Sequence, residues 1–407
     1  MHTAIPAIAG VPIEFILFAA VLAGVAVFHH HSLRVALIGV AVITLYKIAF
    51  SSFHGAVGLP AFGAHLAKEW VLVINLLLLI VGFALLARHF EESRVPLVLP
   101  NLLPDDWKGG FAMLAVVFVL SSFLDNIAAA MIGGTMATAL YRGRVHVGFL
   151  AAIVAASNAG GSGSVVGDTT TTMMWIDGVR PFQVLEAYLA AVPALLFFGV
   201  VAARQQHAYQ PILKDAPAGT TIDAGRLGVV AAVLAAAIAA NVLAQFKQGA
   251  WLSQVPAIGL AVWATLLLFA PSVRPDWSVL PSATRGGVFL VSLVLSASMM
   301  PIEALPAASW HVALGLGFVS AVFDNIPLTA LALRQGGYDW GFLAYAVGFG
   351  GSMIWFGSSA GVALASQFPE ARSVKAWVRS GWHVAVGYVL GYLILLLVLG
   401  WHPDPAR

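Results

Sequence analysis

Apolar residues run in long blocks along this chain. The blocks cover roughly 11–28, 33–53, 68–87, 111–140, 146–176 and 181–203, then 226–246, 251–270, 285–300, 309–333, 340–368 and 380–400. Most approach the ~20 residues that carry a helix across a bilayer core, so the pattern predicts membrane-spanning helices with lipid as their solvent. Between Gln205 and Gly225 lies the one long polar stretch, with Pro211, Lys214, Asp215 and Pro217. Six blocks precede it and six follow, which divides the chain into a first repeat at 1–204, a linker at 205–225 and a second repeat at 226–407.

The halves echo one another in residues as well as in hydropathy. Ser122-Phe123-Leu124-Asp125-Asn126-Ile127 returns as Ala321-Val322-Phe323-Asp324-Asn325-Ile326, 199 positions later. In the next block of each half, Gly160-Gly161-Ser162 with Gly167 returns as Gly350-Gly351-Ser352 with Gly357, 190 positions later. Two echoes in the same order point to duplication.

Each Asp-Asn pair lies mid-block, in a segment that is either one long tilted helix or a re-entrant hairpin. Loop charges discriminate, because Lys and Arg are retained on the cytoplasmic side. With hairpins at about 111–140 and 309–333, one side carries 14 basic residues, among them Arg88, Arg94, Arg142, Arg144, Lys214, Arg274 and Arg285. The other keeps 5, namely Lys68, Arg180, Lys247, Arg334 and Arg407. With full crossings the same residues divide 9 against 10 and the bias disappears. Hairpins are therefore expected, the first with its mouth in the cytoplasm and the second with its mouth outside. Five crossings per half, one of them a broken helix, invert the second half relative to the first and leave both termini external. This is the inverted-repeat plan of secondary transporters. The expected fold class is thus an all-α polytopic membrane protein in a cell inner (plasma) membrane.

Composition agrees and excludes other classes. Residues are 60% hydrophobic and 9% charged, against roughly 25% charged in soluble domains. Cysteine is absent, removing disulfide and thiolate chemistry, and a net charge of +2 gives no footing for nucleic acid. The first 28 residues lack a basic leader and carry Glu14, so a retained helix is expected there. His29, His30 and His31 end that span at the interface, Lys47 lies inside the second span, and the twelve Trp mostly flank spans as interfacial anchors.

Backbone that is not helical at membrane depth survives only where protein buries it or where it lines a watery cavity. The breaks therefore locate the site: Asn158 to Ser164 with Gly167, Asp168 and the run Thr169 to Thr172, and its counterpart Gly348 to Gly361 with Ser352, Ser358 and Ser359. Carboxylates, amides, hydroxyls and free carbonyls form a hard oxygen set suited to a small alkali cation. Asp125, Asn126, Asp168, Asp324 and Asn325 are the candidate cation and proton ligands. Supporting ligands are Asn158, Gly160, Gly161, Ser162, Thr169, Thr170, Ser352, Ser358 and Ser359. Each has a plainer role to weigh. Asp and Ser before a helical run are good N-caps, threonines can bond carbonyls of their own helix, and glycines let helices approach. Ionisable groups at bilayer depth are nonetheless functional by default. The first half offers two carboxylates, Asp125 and Asp168, where the second has Asp324 and Ser358. Convergence of the first two makes that half the proton-sensitive one.

Asp125-Asn126-Ile127, Asn158 to Trp175, Asp324-Asn325-Ile326-Pro327-Leu328-Thr329 and Gly357 to Trp382 together resemble the NhaD-type sodium/proton antiporters of the ion transporter superfamily. The resemblance covers most of the chain. It implies two re-entrant hairpins, two broken helices, a homodimeric scaffold and elevator-type movement of the site. Departures are Ser162-Gly163 where the family usually has Ala-Trp, Val165 where it has Pro, and Ala128 where the second hairpin has Pro327. The expected activity is exchange of sodium or lithium for protons, with sodium as transported substrate, no cofactor and no enzyme chemistry. Partners are then sodium, protons, lipid and a second copy of the chain.

Three alternatives are set against it. A sodium-coupled symporter of citrate, a dicarboxylate or another oxyanion would show Ser-Asn-Thr at the tips, where two aspartates repel an anion. An intramembrane aspartyl protease needs Gly-x-Gly-Asp, which fails at Val165-Val166-Gly167-Asp168. A channel seldom needs inverted repeats.

Overall fold

A computed structural model describes residues 7–8, 10–28, 31–53, 57–98, 103–213, 221–245 and 254–404. His29, His30, Lys214, Asp215, Pro217, Lys247 and Arg407 lie outside the described residues. Apart from one two-stranded ribbon at Ala7–Ile8 and Val11–Pro12, the regular structure among the described residues is helical. The first half contains α1 (Ile13–Val27), α2 (Ser32–Phe50), α3 (Gly58–Glu92), α4 (Val95–Val98), α5 (Trp107–Ser121), α6 (Asn126–Tyr141), α7 (Val147–Ser162), α8 (Thr169–Ile176), α9 (Pro181–Leu185) and α10 (Tyr188–Tyr209). The second contains α11 (Ala224–Gln245), α12 (Ala257–Phe269), α13 (Leu280–Ser298), α14 (Trp310–Ser320), α15 (Asn325–Gln335), α16 (Trp340–Gly350), α17 (Ser359–Gln367), α18 (Val374–Ser380) and α19 (Trp382–Leu399).

Among the described residues, five segments are long and apolar enough to cross a bilayer: α2, α3, 181–209, 277–298 and α19. Large apolar side chains such as Leu45, Phe50, Leu196 and Leu397 stand exposed on their outer faces, a surface that lipid satisfies and water does not. The chain is a multi-pass membrane protein.

Four of the apolar blocks are broken in two, each by a few residues ending in a helix-capping side chain. α5 stops at Ser121 and α6 starts after Asp125; α14 stops at Ser320 and α15 starts after Asp324. α7 stops at Ser162 and α8 starts after Asp168; α16 stops at Gly350 and α17 starts after Ser358. At the far ends of α6 and α15 the chain turns through left-handed positions at Arg142-Gly143 and Gly336-Gly337.

The helices pack as two bodies. α1, α2 and α3 pack with α11, α12 and α13, while α5, α6, α7 and α10 pack with α14, α16, α17 and α19. The bodies meet where α13 lies on α15 and α3 on α8 and α6. Small residues set the closeness of the second body. A Cβ at Gly160 would overlap the Phe118 carbonyl oxygen, one at Gly167 that of Ser121, one at Gly350 that of Gly317, and one at Gly357 that of Ala321. The same approach therefore recurs at corresponding positions of the two halves.

Candidate functional site

All four breaks are built on N-caps. Asp125 Oδ1 accepts from Ile127 N at 2.8 Å, Asp324 Oδ1 from Ile326 N at 3.1 Å, Asp168 Oδ1 from Thr170 N at 3.2 Å, and Ser358 Oγ from Gly361 N at 3.3 Å. Capping satisfies amide protons that a helix start leaves without partners. It occupies one carboxylate oxygen in each aspartate and leaves the other. Asp324 Oδ2 accepts from Ser359 Oγ at 3.2 Å, whereas Asp168 Oδ2 is buried without a hydrogen-bond partner among the described residues. Position 168 is thus a cap, and also a carboxylate with an uncommitted oxygen.

The breaks converge. Asp125, Asn126, Asp168, Thr169, Asp324, Asn325, Ser358 and Ser359 all line one cavity of about 660 Å³, and Asp168 lies within electrostatic reach of both Asp125 and Asp324. From these residues the cavity runs between the two bodies past Phe83, Ala87, Ser282 and Gly286 to Glu91. Among the described residues, its charged lining side chains are Asp125, Asp168, Asp324 and Glu91, with no Lys or Arg.

Several other residues singled out in the sequence have structural duties. Asn158 ties three segments together: Asn126 Nδ2 donates to its Oδ1 at 3.1 Å, and its own Nδ2 donates to Ser352 Oγ at 2.9 Å and Ser358 Oγ at 3.0 Å. The carbonyl of Gly160 accepts from Ser122 Oγ at 3.1 Å and from Tyr188 OH at 3.0 Å. Gly161 packs against Gly167 and Asp168. Ser162 Oγ donates to Ala159 O, and Thr171 and Thr172 both donate to Asp168 O. The Thr170 hydroxyl oxygen is buried and has no hydrogen-bond partner of good geometry among the described residues. Lys47, left undecided by its position in a span, donates to Met299 O at 2.6 Å at the end of α13 and lies over the Phe53 ring. His31 caps α2 without a side-chain bond.

The reading of the sequence did not anticipate the pairing between the bodies at the end remote from Glu91. There Arg334, on the last turn of α15, forms an ion pair with Glu69 of α3, both largely buried. Nearby, Ser51 Oγ donates to the buried Glu14 at 2.5 Å and His65 meets Ser298 at 2.9 Å. A signal existed: four ionisable residues, Glu14, Lys47, Glu69 and Arg334, sit within or beside apolar blocks, where charges seldom stand alone.

Comparison with known proteins finds relatives named as antiporters. No family model matches the chain. Over 300 residues, 63% of its length, it is 28% identical to sodium/proton antiporter 1 of Arabidopsis thaliana, and the match covers 49% of that protein. It is 27% identical over 300 residues to sodium/proton antiporter 2 of the same plant, covering 68% of it. Over 145 residues it is 30% identical to the Na(+)/H(+) antiporter NhaD of Halomonas elongata, covering 35% of this chain and 27% of that protein. The chain thus matches about half the length of the first of these relatives. The similarity to NhaD-type antiporters read from the four segments stands.

Proposed function

We propose that this chain, a relative of sodium/proton antiporters, exchanges sodium or lithium for protons, with Asp125, Asp168 and Asp324 as the groups for which the two cations compete. The observation that carries this reading is the convergence of three carboxylates on one cavity at the tips of broken helices. A carboxylate held out of water is costly unless something neutralises it. A proton or a desolvated sodium ion serves, and the two exclude one another. If the loaded site changes faces and the empty one does not, exchange follows. Asn126, Asn158, Asn325, Ser162, Ser352, Ser358, Ser359, Thr169 and Thr170 supply neutral oxygens around the aspartates, with the carbonyls of Gly160 and Gly161 behind them.

The lining favours a cation over the anion of a symporter. With Asp125, Asp168 and Asp324 at its inner end and no basic side chain among the described residues that line it, the cavity repels citrate or a dicarboxylate.

In this proposal the pairs α5/α6 and α14/α15 are re-entrant hairpins, and residues 1–204 and 226–407 are inverted repeats about a cytoplasmic linker. The recurring caps and glycine contacts support this. The first three spans of each half form a fixed scaffold that dimerises, and the rest moves. The cavity opens toward Glu91, beside Arg88 and Arg94, the side that carries most loop Lys and Arg. That side is assigned to the cytoplasm, the membrane to the cell inner membrane, and the state to inward-facing. Single cysteines introduced into this cysteine-free chain test the orientation. An impermeant maleimide applied to intact cells is expected to label position 180 and spare position 144; equal labelling would refute the topology.

Transport itself is tested in everted vesicles with a pH-sensitive dye, challenged in turn with sodium, lithium, potassium and citrate. Dequenching by sodium, alone or with lithium, is the expected result. A response to citrate alone would replace exchange by symport.

A further inference from the structure

The two bodies are closed on one side of the aspartates and parted on the other. On the side away from Glu91, α15 lies on α13, with Ile326, Ala330 and Leu331 in one apolar cluster with Leu290, Leu293, Val294 and Ala297. At the last turn of α15 this seal ends in charge: Arg334 pairs with Glu69 of α3, the two side chains being 21% and 12% exposed. The pairs Arg88–Asp276 and Arg226–Glu92 lie within the body of α1 to α3 and α11 to α13. Arg334–Glu69 ties that body to the other. The side on which the cavity opens is built differently. Ten positions after each tip aspartate stand Arg334 in α15 and Thr135 in α6. Thr135 is exposed and donates to Met131 O of its own helix. Glu69 starts the third apolar block of the first half; around the start of the third block of the second half lie Ala283 and Gly286, which line the cavity without charge. One closure is clamped by an ion pair, and the other has neutral residues at the matching places.

We propose that Glu69 and Arg334 are positioning residues of the transport cycle: their pairing holds the bodies together on the side away from Glu91 and so weights the protein toward the state whose aspartates face Glu91. The proposal rests on the exchange function argued above and deepens it by naming what sets the orientation of the unloaded site. An equilibrium between two orientations shifts only through contacts that differ between them. Arg334 and Glu69 attract strongly where protein screens them from water, and weakly once α15 has moved away and water surrounds both. Lys47 also lies within electrostatic reach of Arg334, so removing Glu69 leaves Arg334 near a like charge. An exposed pair is worth almost nothing, whereas stranding one member of a fully buried pair costs about a hundredfold or more. A partly buried pair falls between, at about tenfold in the ratio of the two orientations.

The test reads orientation directly in the full-length, cysteine-free chain. Ala330→Cys places a thiol in the seal between α15 and α13, and Ser282→Cys places one on the open cavity. An impermeant maleimide is applied to intact cells for position 330 and to everted vesicles for position 282, and the labelling rates are compared. Glu69→Gln and Arg334→Gln are each expected to raise the rate at position 330 about tenfold without raising that at position 282. The double Gln variant should show no more than the larger single effect, because one interaction can be lost only once. Arg334→Lys keeps the charge and should stay within about threefold of the parent. If the single variants do not yield folded protein, the double Gln variant, which strands no charge, replaces them with the same expected rise. Faster labelling at both positions would show general loosening and overturn the proposal, as would parental labelling at position 330, or single effects that multiply in the double variant. Exchange is followed in parallel in everted vesicles of the unsubstituted chain. Intact exchange beside any of those outcomes overturns the pair's role alone. No exchange with sodium or lithium overturns the exchange function and the pair's part in it.

Discussion

On the proposed function, Asp125→Asn and Asp324→Asn are each expected to abolish sodium-driven exchange, to below about one hundredth of the wild-type rate, without unfolding the protein. The two halves of that expectation have separate causes. Asn caps helices about as well as Asp, so the bonds to Ile127 N and Ile326 N persist and α6 and α15 start where they did. The charge is what disappears. A site that must be neutralised by one of two competing cations loses its grip on both when it is already neutral. Removing one partner of a buried charge pair typically costs about 3 kcal/mol or more, and ~3 kcal/mol is about a hundredfold in rate. Dye dequenching in vesicles and melting in detergent measure the two separately. Exchange within about threefold of wild type, well under the loss expected for a buried charge, would remove that aspartate from the carriers.

The second large effect is on folding. Gly160→Val and Gly350→Val place a branched side chain where even a Cβ overlaps a carbonyl oxygen, of Phe118 and of Gly317 respectively. Backbone cannot step aside as a flexible side chain does, so each variant should lose about 3 kcal/mol, at the upper end for overpacking. The readouts are the melting temperature and the fraction of monodisperse protein after extraction. Gly315→Ala is the control: it sits on the same helix as Gly317 with nothing within 4 Å of a Cβ, and should be neutral or stabilising by up to ~1 kcal/mol through helix propensity. Wild-type melting of Gly160→Val would mean that α5 and α7 are not packed as described.

Much of this was legible from residue order. Block lengths gave the spans, and the structure alters them chiefly at α3, which begins ten residues before the apolar run does. There the boundary hides because Gly58 to Lys68 mixes apolar and polar residues, and helix geometry does not depend on hydropathy. The breaks were legible because Asp-Asn and Gly-Gly-Ser interrupt apolar runs. Pairings between distant segments were not. Nothing along the chain says that Asn158 reaches Ser352 and Ser358, or that Arg334 meets Glu69, because both pairings depend on how the two halves pack.

The length of α3 fixes the electrical depth of the carboxylates. Glu69 and Arg88 lie 19 positions apart on it, ~28 Å at 1.5 Å per residue, close to the ~30 Å of a bilayer core. Leu76, Leu79, Ile80 and Phe83, which adjoin Asp125 and Asp168, fall between those levels, near the midplane. In the proposed inward-facing state, water filling the cavity from there to Glu91 would carry the potential of one compartment to the aspartates. The membrane voltage would then drop across the closed half alone, over ~15 Å between them and Glu69. Each elementary charge released to the far side traverses the whole voltage, about 2.3 kcal/mol per 100 mV. A cycle that moves unequal charges in its two directions is therefore set by voltage as strongly as by either ion gradient.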